Sequence, residues 1–200
     1  MLKCIAIHFP DAGYVQGMNF LCTMLMSYTT PEDSFIIMIS LMQNYGLKEL
    51  FDPGFPGLKK YYYILIALIQ KYLPKVFKKL ETSGMLPQLY AITCQWFPTL
   101  FVIYFPIDIV VRIWDMYLIE GRKTLFRVAL ALLRINEKKI LEEENDCMLY
   151  FVIQKGHETV KDFQQLQKGM LHYSFSHTLV DHLEKDYNKK LKQGYEVVNL

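Results

Sequence analysis

Apolar residues recur through this chain at helical spacing, and proline and glycine repeatedly cut the pattern short. The clearest segment opens at Pro106. Ile107, Val110, Val111, Trp114 and Leu118 follow at i, i+3, i+4, i+7 and i+11, which places them on one face of a helix. Gly121 supplies a stop. Leu125, Phe126, Ala129, Leu130 and Leu133 repeat the spacing. Phe175, Leu179, Leu183, Tyr187 and Leu191 recur every fourth residue in a last long helix, with Lys185, Lys189, Lys190 and Lys192 on its outer face. Thr30-Pro31-Glu32-Asp33 reads as a helix start, with a capping hydroxyl, a proline at the first helical position and two acids facing the positive end of the dipole. Its apolar run ends near Gly46. Leu58 to Leu73 is apolar almost all round and belongs in the middle of a core. Pro74 opens another piece, which Gly84 ends, and Met1 to Phe9 reads as the tail of a helix. Alternating apolar and polar residues are rare, and no Asn-Gly or Asp-Gly hairpin turn occurs. The expected class is therefore all-α, built from many short helices, without a repeat of fixed period.

Composition narrows the function. Half of the 200 residues are apolar, enough for a real core. A net charge of +2 argues against a polyanion binder such as a nucleic-acid protein. Cys4, Cys22, Cys94 and Cys147 lie far apart without C-x-x-C spacing, which reads as free thiols in a reducing compartment. Two long uncharged stretches, Ala12 to Pro31 and Thr82 to Ile107, are broken by glycine, polar residues or proline. They read as consecutive short buried helices, not as membrane spans. His172, His177 and His182 stand five apart, so each is turned about 140° from the last on a helix, and they cannot share one face as metal ligands. No metal site is expected. The phosphate-binding G-x-x-x-x-G-K-[ST], the nucleophile elbow G-x-S-x-G and the zinc motif H-E-x-x-H are all missing from the sequence.

Three segments carry chemical information. Tyr14-Val15-Gln16-Gly17-Met18-Asn19 resembles the YxQGMN signature of TBC domains. Gln95-Trp96-Phe97-Pro98-Thr99-Leu100-Phe101 resembles their QWFxxLF stretch. Arg112-Ile113-Trp114-Asp115 with Glu120-Gly121 resembles their RIWDxxxxEG signature. They stand in the family's order, and the resemblance implies a multi-helix orthogonal TBC domain. It covers residues 1–184, leaving 185–200 as a C-terminal helical extension. TBC domains act on Rab-type small GTPases in their GTP form and promote hydrolysis with two fingers in trans, an arginine from an IxxDxxR motif and a glutamine from the YxQG loop. By residue match the glutamine is Gln16, with Tyr14, Gly17, Met18 and Asn19 expected at the partner surface. Trp96, Phe97, Arg112, Trp114, Asp115, Glu120 and Gly121 are expected to be structural.

The resemblance calls for no cofactor in this chain, since GTP and magnesium would belong to the partner. It implies a cytoplasmic protein in vesicle trafficking, peripheral to endomembranes through that partner. Arg112 has Asp108 at i−4 and Asp115 at i+3, which predicts a local ion-pair cluster, not a transferred finger. No I-x-x-D-x-x-R occurs in the sequence. The expectation is a domain lacking its opening helices and its arginine, which leaves open a catalytically inactive scaffold that binds a small GTPase or another protein.

Overall fold

In the computed structural model, residues 1–194 are described, and these contain helices and turns without a strand. The first helices are α1 (Leu2–His8), α2 (Met18–Met26), α3 (Pro31–Asn44) and α4 (Lys48–Phe51). The middle of the chain forms α5 (Pro56–Tyr72), α6 (Pro74–Thr82), α7 (Leu86–Thr93), α8 (Ile107–Glu120) and α9 (Lys123–Ile135). Helices α10 (Glu137–Glu142), α11 (Asp146–Gln154), α12 (Phe163–Leu171) and α13 (His177–Lys192) follow, with a 3-10 turn at Gly156–Thr159. Residues 195–200, the end of the expected extension, lie outside the described residues. Helix α13 runs unbroken across residues 184 and 185.

Local chemistry starts the elements where the sequence places it. The Thr30 hydroxyl accepts from the Asp33 amide at 3.2 Å, with Pro31 in the first turn of α3. Asn145 and Asp162 cap α11 and α12 in the same way. Pro56 opens α5, Pro74 opens α6, and Gly121 closes α8 with φ 63°.

Helices α5 and α9 form the centre. Every residue of α9 from Thr124 to Leu133 is buried, so it is enclosed on all sides, like a core helix of a larger bundle. Helix α12 crosses it closely. A Cβ on Gly169 would stand 3.0 Å from that of Ala131, so glycine permits the approach. Tyr61 of α5, Phe97 and Phe126 of α9 form a ring cluster with centroids 5.2–5.5 Å apart, offset and tilted as aromatic pairs prefer.

Two expectations need correcting. Residues 94–105 form successive turns, not a helix. Pro98 interrupts the segment, and Leu100 and Phe101 take positive φ of 47° and 63°. Their side chains are fully buried, and that burial holds the strained backbone. On α8 the buried face is Ile109, Val110, Ile113, Trp114 and Tyr117. Ile107 is 53% exposed and Leu118 is exposed as well. Val110 and Trp114 belong to both possible stripes, and packing against α9 selects the one that buries Tyr117.

Candidate functional site

The hexapeptide forms the loop between α1 and α2. The Met18 amide donates to the Val15 carbonyl at 3.2 Å, and the Gly17 amide donates to Asn19 Oδ1 at 3.3 Å. Gly17 has φ 110° and ψ −33°, a conformation that glycine tolerates and residues with a Cβ avoid. Val15 is half-buried, while Gly17 and Met18 are buried. These anchors leave Gln16 exposed, and its amide has no hydrogen-bond partner among the described residues. Tyr14 is 57% exposed. The expectation that Met18 meets a partner does not fit, because its side chain is spent on the core. Asn19 is half-buried and braces the loop.

Gln16 stands at the rim of an open cavity of about 370 Å³. Val15, Gly17 and Phe20 line it from the loop and α2, and Leu50 and Phe51 from α4. Phe55 and Leu58 come from the start of α5, and Tyr90, Cys94, Gln95, Pro98 and Thr99 from α7 and the turns after it. No Asp, Glu, Lys, Arg or His is among the lining residues. Burial pushes both the Tyr90 hydroxyl and the Cys94 thiol upward, so both stay neutral near pH 7. The result is an uncharged, mostly apolar depression with the exposed amides of Gln16 and Gln95 at its edge.

The three sequence segments converge here. A Cβ on Gly17 would meet Thr99 Cγ2 at 3.6 Å, so the first segment rests against the second. The Trp114 indole donates to the Leu100 carbonyl at 3.3 Å, which ties the third segment to the second from behind. Trp96, Phe97 and Trp114 are buried. Glu120 accepts from Arg127 at 2.6 Å and pairs with Lys123 at 3.2 Å. Arg127 in turn donates to the Tyr173 carbonyl at 3.1 Å. Glu120-Gly121 thus joins the turn between α8 and α9 to the segment before α13.

Arg112 corrects another expectation. It is exposed, as are Asp108 and Asp115, and it has no ion pair with either among the described residues. Its guanidinium lies 5.8 Å from the ring centroid of Phe163 instead, within reach of a cation–π contact. At the exposed helix surface, water competes well with an ion pair. Phe20, Phe55 and Gln95 were not anticipated as part of the site. Gln95 at least lies in a recognised segment. Phe55, in a turn-rich loop, carries no local signal.

Residues 1–141 match the family described as the Rab-GTPase-TBC domain. Among curated relatives, the GTPase-activating protein GYP5 of Saccharomyces cerevisiae is 35% identical over 153 residues, 76% of this chain and 17% of the relative. The human ecotropic viral integration site 5 protein homolog is 30% identical over 207 residues, covering all of this chain and 25% of the relative. Growth hormone-regulated TBC protein 1 of Xenopus tropicalis is 32% identical over 189 residues, 92% of this chain and 54% of the relative. The chain thus spans from about a sixth to about half of the length of these proteins. The crystal structure of the Chlamydomonas flagellar RabGAP TBC domain superposes with a TM-score of 0.71 at 24% identity, over 86% of this chain and 57% of that one, which shows a shared fold. With the family matched over residues 1–141, the chain belongs to the Rab-GTPase-TBC domain family.

Proposed function

We propose that the chain is a regulator of Rab-type small GTPases, acting in trans on their GTP form to promote hydrolysis in vesicle trafficking, with Gln16 as the residue that touches the reacting groups. The observation that carries this reading is the free amide of Gln16, held outward by buried neighbours at the rim of an uncharged cavity. Hydrolysis needs a water aligned with the γ-phosphate and neutralisation of the charge that spreads over the phosphates. A glutamine amide donates and accepts at once, so it can fix that water against a phosphate oxygen. It brings no negative charge to repel the nucleotide. Tyr14, exposed beside it, is the next surface for the partner. The I-x-x-D-x-x-R pattern from which the family's arginine would come does not occur in these 200 residues. No described helix is long and apolar enough to cross a membrane, and recruitment to endomembranes through the GTPase is part of the same proposal.

The test is single-turnover GTP hydrolysis across a panel of Rabs. It uses this chain and the same chain extended at its start by a segment carrying an I-x-x-D-x-x-R helix. The extended protein should accelerate at least one Rab, and Gln16→Ala should lower that rate by a factor on the scale of one lost preorganised donor, about 10²–10³. Binding of the GTP-loaded Rab should fall much less. Acceleration that survives Gln16→Ala overturns the assignment. Nucleotide-sensitive binding without acceleration by either protein establishes a scaffold instead.

A further inference from the structure

The cavity beside Gln16 extends well beyond the glutamine itself, and its rim carries two exposed aromatic side chains, Phe20 from α2 and Phe55 before α5. Phe55 has φ 51° and ψ 50°. A bulky residue in the left-handed region is unusual, and Pro56 directly after it further restricts its backbone. Burial does not offset the strain, because Phe55 is 41% exposed. Its amide donates to the Asp52 carbonyl at 2.9 Å, and its own carbonyl accepts from Leu58 at 3.0 Å, so the turn holds the ring at the cavity. Strain without a folding return clusters where a ligand is gripped. Gln95 adds a second exposed amide at the same cavity.

We infer that this cavity is a specificity pocket, and that it receives one apolar side chain from the surface of the GTP-loaded GTPase docked at Gln16. The inference rests on the reading of Gln16 given above. Phe20 and Phe55 are the walls which that side chain meets, and the Gln95 amide serves main-chain groups beside it. The lining contains no charged residue, so a GTPase presenting a charged side chain there would lose its hydration without gaining a partner, and would be rejected. The pocket therefore selects among GTPases, while Gln16 acts on the bound nucleotide.

Binding and turnover separate the two roles. Affinities of GTP-loaded Rabs are measured by calorimetry for the chain and for Phe55→Asn, Phe20→Gln and Gln16→Ala. Phe55→Asn should raise Kd roughly tenfold, the scale of a truncated aromatic at an interface centre. Its melting temperature should hold or rise, because asparagine accepts the left-handed region more readily. Phe20→Gln, on an exposed helix face, should raise Kd in the same direction for the same Rabs. If Kd is unchanged in both variants while Gln16→Ala still slows hydrolysis in the extended protein, the pocket inference fails and the Gln16 reading stands. A melting temperature that falls in step with affinity in Phe55→Asn marks a purely structural role and also overturns the inference. If no GTP-loaded Rab binds, both readings fall.

Discussion

Gly17 decides where Gln16 points. Its φ of 110° is outside the range that L side chains favour, yet a Cβ there would meet Thr99 and Phe51 only at ordinary contact distances of 3.6 and 3.7 Å. The obstacle to substitution is torsional, not steric. Gly17→Ala is therefore expected to cost about 1–3 kcal/mol, the range for one strained backbone residue, and to swing Gln16 from its place. A urea melt should show the lower midpoint, and GTP hydrolysis by the extended protein should fall with it. A midpoint equal to the parent's would show that the loop reaches the same shape by another route. The loop that carries Gln16 and Gly17 was legible in the sequence because it is built from six contiguous residues. Phe55 was not, since its part in the site depends on α4, α5 and α7 meeting at one cavity. Arg112 misled because helical spacing states which residues share a face and is silent on whether water or a neighbouring ring wins the charge.

Helix α13 is held to the body by an ionic clamp as much as by apolar contact, for among its described residues only Val180 and Tyr187 are buried. Glu184 pairs with Lys60 of α5 at 2.7 Å and with Arg122, which also reaches Asp181 at 2.6 Å. Lys60 is buried and meets Glu49 as well. Tyr63 of α5 binds Asp186 and accepts from Lys190 at 2.6 Å. Burial works to raise the Glu184 carboxyl, but hydrogen bonds from Arg122 and Lys60, with their charges, together hold it below its ordinary 4.5. A carboxyl depressed in the folded state contributes stability that is fully present above that ordinary value and is lost as pH falls through the folded one. On acidification below about 4.5, amide hydrogen exchange should show α13 losing protection before α5 and α9. Protection of α13 that tracks α9 throughout would mean the clamp adds nothing of its own. The helix itself was readable from apolar residues at every fourth position, but Phe175 lies before its start, Leu191 is exposed, and Val180 is buried in place of part of that stripe. The clamp was not, because Lys60 and Glu184 are 124 residues apart and nothing local links them.

Across the whole molecule one apolar core runs from Ile5 to Val180, yet the first three helices and their loops leave Ile7, Tyr14, Phe20, Met26, Tyr28 and Ile36 exposed, Ile7 by 79%. Exposed apolar surface of this kind promotes association. Light scattering should show an apparent mass that rises with concentration, and Ile7→Lys combined with Ile36→Lys should reduce the rise. A mass independent of concentration in the parent chain would contradict this. The sequence by itself determined the helical class, the starts or stops of α3, α5, α6 and α8, the central place of α5 and the loop that carries Gln16. Those features depend on periodicity, capping chemistry and short contiguous patterns, all of which act within a few residues. Only the tertiary structure decided which stripe of α8 is buried, that residues 94–105 turn without becoming helix, that Arg112 meets Phe163, and that four separate elements enclose a cavity beside Gln16. Each of these is settled by side chains far apart in the chain competing for the same space, and local patterning carries no record of which of them meet.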